Sequence, residues 1–229
     1  MISFFNVSKV YPNGVKALQG VSLQIEKGEF VFIVGPSGAG KSTLIKLIFR
    51  EELPTKGQIY INGRSILRMK RRDVPYLRRQ IGMVFQDFRL LPDRTVYENV
   101  AFAMQVVGAK RSEIKKRVPE VLKMVGLEKR MDDYPLQLSG GEQQRTAIAR
   151  ALVNNPSTII ADEPTGNLDI NTSWEIMECF QEINDKGTTI IIATHAKEIV
   201  DSMRQRVIAL ERGKIVRDEH RGVYANATT

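Results

Sequence analysis

One cysteine, Cys179, stands among 229 residues. A single thiol forms no internal disulfide and no cysteine zinc cluster, and it points to a reducing compartment. Long apolar runs are missing too. Runs such as Phe30–Val34 and Ile190–Ala193 fall far short of the roughly 20 residues that cross a bilayer. The first six residues, Met1 to Asn6, show no basic start leading into an apolar stretch, so no signal peptide is expected and membrane attachment would run through a partner. Internal repeats and low-complexity tracts are absent. Negative charge is the scarcer sign: 26 Asp and Glu against 34 Lys and Arg leave 34 − 26 = +8, a surface that favours nucleotides, nucleic acid or an anionic membrane face. With 42% hydrophobic and 26% charged residues, the composition is globular and excludes a disordered or collagen-like chain.

Short β-like stretches come first: Ser3–Val7, Val21–Glu26 and Phe30–Gly35, with a turn at Gly28. A helix is expected from Gly40-Lys41 to about Arg50, a strand at Gln58–Ile61 closed by Asn62-Gly63, and another strand at Ile81–Phe85. From about Gln86 to Asp133 the chain is rich in charge and helix formers. Ile114, Val118, Val121, Leu122 and Val125 share one helical face, and Pro119 predicts a kink. This reads as a helical insertion. After it come a helix (Gly141–Val153), a strand (Thr158–Asp162), a helix (Asn171–Asn184), a strand (Thr189–Thr194) and a basic tail. The all-apolar strands and the alternation of strand with helix predict an α/β, doubly wound parallel sheet.

Gly35-Pro36-Ser37-Gly38-Ala39-Gly40-Lys41-Ser42 follows an apolar strand, precedes a helix and fits G-x-x-x-x-G-K-[ST]. Glycines let the backbone curl until successive N–H groups face phosphate oxygens, and the helix N-terminus adds its positive dipole end. Lys41 reaches the β- and γ-phosphates, and the Ser42 hydroxyl suits Mg²⁺. Thr158 to Glu163 is an apolar strand ending in two carboxylates, an arrangement that calls for a cation or water at its end. Asp162 would hold Mg²⁺ through water, and Glu163 would polarise or deprotonate an attacking water. Together these elements point to a nucleoside triphosphate with Mg²⁺ as cofactor.

Leu138-Ser139-Gly140-Gly141-Glu142-Gln143-Gln144-Arg145 is a second anion nest: a serine, two glycines and a helix start. One nucleotide does not need two nests so far apart in the chain unless a second subunit supplies one. Here the chain resembles the nucleotide-binding subunits of ABC transporters, over nearly all its length and with several motifs in the family's order. The family's signature is usually LSGGQ; Glu142 replaces the final Gln, while Ser139, Gly140 and Gly141 are kept.

That resemblance implies a P-loop fold: an N-terminal antiparallel β subdomain with a RecA-like parallel-sheet core (about 1–86 and 134–229), and a helical subdomain at 87–133. It implies an ATPase in which ATP and Mg²⁺ are bound by residues 35–43, through Thr43. Tyr11 would stack on adenine. Gln86 would touch Mg²⁺ and the attacking water, and His195 the γ-phosphate. Gly166-Asn167-Leu168-Asp169 would cross a dimer interface. It further implies a head-to-tail, ATP-dependent homodimer, with each ATP between the Lys41 loop of one copy and Ser139 and Gly141 of the other.

The stretch from Asp73 to Val100, including Leu90-Leu91-Pro92 and Tyr97, is similar to the FtsE group of this family, bacterial cell-division ATPases that act with an FtsX-type integral membrane protein to control peptidoglycan hydrolases. The short tail after about Gly213 suits the same group. A place at the cytoplasmic face of the plasma membrane, held through the partner, is what that likeness implies. Asp162 to Asp169, DEPTGNLD, is shared with ATPases of lipoprotein-release and macrolide-export systems, which stay as the alternative. A soluble family member acting on nucleic acid is not expected, because the chain has one cassette and no sustained heptads. The basic cluster Arg64, Arg68, Lys70, Arg71, Arg72, Arg78 and Arg79 is either a solvated face or one attracted to anionic lipid. Leu90, Leu91, Pro92 and Tyr97 either pack in a core or line a groove for a partner helix.

Overall fold

The computed structural model describes residues 1–224; the last five, which the single-domain reading includes, lie outside the described residues. The first half of the chain forms β1 (Ile2–Val10), β2 (Lys16–Ile25), β3 (Phe30–Val34), α1 (Lys41–Ile48), β4 (Lys56–Ile61), β5 (Arg64–Ser65), α2 (Val74–Arg79) and β6 (Ile81–Phe85). Then come α3 (Val96–Val106), α4 (Arg111–Met124), α5 (Gly140–Leu152), β7 (Thr158–Asp162), α6 (Ile170–Asp185), β8 (Thr189–Ala193), α7 (Lys197–Met203), β9 (Arg206–Glu211) and β10 (Lys214–Glu219). Two compact units emerge: Met1–Arg78 with the described residues from Thr189 onward, and Arg79–Thr188.

In the first unit β2, β1, β4 and β5 form an antiparallel sheet in that order. Burial alternates along β2 from Gly20 to Ile25, as expected of a sheet with one face on the core. Asn62-Gly63 makes the turn into β5, both residues at positive φ (49° and 77°) as a type I′ turn requires. The second sheet of this unit centres on β3, which is buried at every residue and pairs in parallel with β8 (Ile33 opposite Ala193) and β9 (Val34 opposite Ala209). β10 closes onto β9 as an antiparallel hairpin.

In the second unit β6 and β7 run parallel, Phe85 opposite Asp162. Helix α5 packs on β6, α3, α4 and α6. That explains why the strands and α5 group with the helices of the insertion rather than apart from them. Helix α4 buries Ile114, Val118, Val121 and Leu122, the predicted face, and runs through Pro119. The cysteine on α6 is buried, and burial pushes its thiol up to about 11, so it is an inert packing residue.

Candidate functional site

β3 runs straight into the phosphate loop. At Gly35 (φ 145°) an added Cβ would strike the Leu210 carbonyl; at Gly40 (φ 111°) it would lie 2.6 Å from the Ala17 oxygen. The loop is thus pressed against the backbones of β9 and β2, and only glycine fits there. Gly40 caps α1 without a side chain, so the first N–H groups of that helix, from Lys41 to Thr43, have no partner within the helix. Lys41 Nζ donates to the Gly35 oxygen (2.7 Å) and the Pro36 oxygen (3.3 Å). Pro36, Ser37 and Gly38 are exposed, as is Ser42; Ala39 and Thr43 are buried. The Tyr11 and Thr43 hydroxyls lie 3.3 Å apart, so Tyr11 stands beside the phosphate loop. The Lys9 ammonium lies 5.0 Å from the Tyr11 ring centroid and pairs with Glu52 at 2.6 Å.

Parallel pairing brings His195 to the same end. Thr194 N–H donates to the Ile33 oxygen (3.1 Å), so the exposed His195 leaves β8 where the loop leaves β3.

In the second unit the same rule acts on another pair. With Phe85 opposite Asp162, Gln86 and Glu163 step off neighbouring strand ends. Glu163 takes a left-handed backbone (φ 50°), and the next carbonyl, of Pro164, accepts from the fully buried Gln144 amide at 2.6 Å. Gln86 and Asn167 clasp each other: Gln86 Nε2 donates to Asn167 Oδ1, and Asn167 Nδ2 donates to the Gln86 oxygen, both at 3.2 Å. Behind Gln86, Phe88 and Arg89 are both left-handed (φ 57° and 49°). The Arg150 guanidinium holds them, donating to the Phe88 oxygen (2.7 Å) and the Arg89 oxygen (2.5 Å). Burial, then the charge of Arg89, pushes the Arg150 pKa down, though a guanidinium stays charged.

The signature forms the start of α5. Ser139 is its N-cap: Ser139 N–H and Oγ both donate to Glu142 Oε2 at 2.9 Å, while Glu142 N–H donates to Ser139 Oγ at 3.3 Å. Arg130 Nε donates to Glu142 Oε1 at 3.0 Å. Gly140 would bring a Cβ to 3.0 Å from Leu168 Cδ2, and Gly141, which is buried, to 2.5 Å from Thr172 Cγ2. Asp169 caps α6, accepting from Thr172 N–H (3.0 Å) and Thr172 Oγ1 (2.5 Å), and these bonds hold its carboxyl below the usual carboxylate range.

Gln86 and Asp162 offer only oxygen donors fit for Mg²⁺, which takes hard oxygen ligands, and Ser42 offers a hydroxyl of the same kind at the start of α1. Among the described residues no group of three or more His, Cys, Asp or Glu could hold a metal by itself. Sequence reasoning singled out neither Arg130, Gln144 nor Arg150. A signal existed for Gln144, which precedes Ala147, Ile148 and Leu152 on one helical face. Leu90, Leu91 and Tyr97 are half-buried and Pro92 is exposed. Within the basic cluster Arg78 is structural: it donates to the Phe49 and Arg50 oxygens at the end of α1.

Residues 18–166 match the ABC transporter family. The chain is 61% identical over 226 residues to the "Cell division ATP-binding protein FtsE" of Bacillus subtilis, covering 99% of both chains. It is 50% identical over 215 residues to the protein of the same name from Escherichia coli, covering 94% of this chain and 97% of that one. A dimeric ATP-binding cassette solved in a post-hydrolysis state with ADP and Pi superposes with a TM-score of 0.86 at 39% identity, covering 98% of this chain and 100% of that one.

Proposed function

Since this chain belongs to the ABC transporter family and is an ATPase, we propose that it works in bacterial cell division, turning ATP hydrolysis into movement of an FtsX-type integral membrane protein. The observation that carries the cell-division reading is near-full-length identity to FtsE proteins of two distant bacteria. Among the described residues no helix is long and apolar enough to cross a membrane. A peripheral place at the cytoplasmic face of the plasma membrane, held through the partner, belongs to the same proposal and rests on the likeness to FtsE proteins.

The proposed chemistry follows from the residue types. Residues 35–43 wrap the phosphates with backbone N–H groups, and Lys41 exchanges its two carbonyl partners for phosphate oxygens. Preorganised donors of this kind stabilise charge as it develops on the transferred group. Tyr11 packs against the adenine. Glu163 takes the proton of the attacking water, His195 donates to the γ-phosphate, and Gln86 orients the water. Ser42, Gln86 and Asp162 would hold Mg²⁺, which when bound supplies charge neutralisation to the phosphates.

The signature serves a second copy. Two chains related by a two-fold axis each offer a phosphate loop and a signature, and each ATP lies between one copy's loop and Ser139, Gly140 and Gly141 of the other. Asp169, which caps α6 beside Gly141, belongs to the same face. Hydrolysis weakens the contact and the dimer opens, which is the movement handed to the partner. Leu90, Leu91, Pro92 and Tyr97 form the partner-facing groove, and the exposed part of the basic cluster faces anionic lipid.

Two measurements test the reading. Capture of the full chain from bacterial membranes should bring down an FtsX-type permease; a lipoprotein-sorting permease in its place would overturn it. Glu163→Gln should cut phosphate release by about 100-fold or more and accumulate ATP-bound dimers. An unchanged rate removes Glu163 from the chemistry.

A further inference from the structure

The signature of this chain carries its own anion. Both donors of Ser139, its N–H and its hydroxyl, end on Glu142 Oε2 at 2.9 Å. A phosphate oxygen that claims those donors must therefore displace a carboxylate and then lie near it. A glutamine at 142 would still offer Ser139 an oxygen, but it has no charge to repel a phosphate. The other oxygen of the same carboxylate is gripped from outside the helix, by Arg130 Nε at 3.0 Å.

We propose that Arg130 is a positioning residue for the signature: it draws the Glu142 carboxylate off Ser139 and offsets its charge, so that a glutamate-bearing signature can accept the triphosphate held by a second copy. The proposal rests on the composite site described above. Arg130 is fixed for the task by more than its side chain. Its N–H donates to the Leu127 oxygen (3.0 Å), and the residues just after it are tied to the start of α3, Tyr97 N–H to the Met131 oxygen and Val96 N–H to the Asp133 oxygen, both at 2.9 Å. Asp133 shares the cation, accepting from Arg130 Nη1 at 3.0 Å. The trio of one cation and two carboxylates thus sums to −1, and would sum to −2 without Arg130. Hydrogen bonds from Ser139, its backbone N–H first and then its hydroxyl, and the charge of Arg130 hold Glu142 below the usual carboxylate range. It is therefore ionised at neutral pH, and the repulsion that Arg130 offsets is present whenever the protein works.

The test uses the full chain carrying Glu163→Gln, with the ATP-bound dimer followed by sedimentation across an ATP titration. Adding Arg130→Ala should raise the ATP needed for half-maximal dimer by about tenfold or more, because like charges brought together at an interface repel. Adding Glu142→Gln as well should bring it back to within about threefold of the parent. The Arg130→Ala defect should also shrink as ionic strength rises, since screening weakens repulsion but does not repair packing. Should Arg130→Ala fail to fold, Arg130→Gln, nearer in size, takes its place with the same expectations. No defect, a defect that Glu142→Gln leaves in place, or one that salt does not move would each overturn the proposal while leaving the composite site standing. A Glu163→Gln parent that never dimerises with ATP would overturn both.

Discussion

The phosphate loop at 35–43 and the signature at 138–142 both aim backbone N–H groups from the start of a helix, yet one is closed by a cation and the other by an anion. In the first, Lys41 turns back onto the Gly35 and Pro36 carbonyls. In the second, the Glu142 carboxylate fills the donors of Ser139. A phosphate entering the first nest gains the lysine as a partner, because the ammonium needs only to trade carbonyl oxygens for phosphate oxygens. A phosphate entering the second must compete with a charge of its own sign. On the proposed reading the difference teaches which nest binds by itself: residues 35–43 would hold a nucleotide, while residues 138–142 would complete a site that another copy has already filled.

Lys41→Ala attacks the comparison hardest. It should lower phosphate release by at least about 100-fold, as loss of a transition-state donor does. A loss below about tenfold would mean that the backbone nest suffices without the cation, and the contrast would collapse. Gly141→Ala strikes the other nest by forcing a methyl against Thr172 Cγ2. It should cost about 1–3 kcal/mol in chemical unfolding, and Thr172→Ser, which removes the opposing methyl, should recover part of that loss. Thr95→Ala sharpens the contrast as a control. Thr95 and Glu98 form a capping box at α3 like that of Ser139 and Glu142 at α5. Its loss should cost about 1 kcal/mol and leave the KM for ATP where it was.

The smallest expected effect is on acid stability. Glu142 has a folded pKa below its unfolded one, so its contribution is present above the unfolded carboxylate range and lost as pH falls through the folded value. Glu142→Gln should therefore flatten the acid limb of the unfolding profile by less than about 1 kcal/mol, because the pair with Arg130 is largely solvated and screened. Urea unfolding at neutral and acidic pH reads the difference.

What the sequence made legible was whatever lies in contiguous order. The strand, glycine loop and helix around Lys41, the apolar strand ending at Asp162, and the capped start of α5 each announce themselves within ten or so residues. The α/β fold followed from the runs Phe30–Val34 and Ile190–Ala193, which lie side by side in parallel. What stayed hidden depends on pairings across the chain. Arg150 reaches carbonyls 61 and 62 residues away, and nothing local to α5 distinguishes it from a surface arginine. Arg130 sits 12 residues before Glu142, near the end of a stretch that reads only as a charge-rich helical insertion. The packing partners of the helical insertion are hidden for the same reason. Residues 87–133 are helical in composition, but α3 and α4 pack on α5, so the compact unit widens to Arg79–Thr188.

The left-handed backbone at Glu163 is a conformation that a residue without a side chain adopts at no steric penalty and that most others resist. Glycine at this position would leave the turn more relaxed and, on the proposed chemistry, the water without its base. The chain therefore carries a small, permanent tension at the end of β7, and on that proposed role improving stability there by sequence change alone would trade directly against turnover.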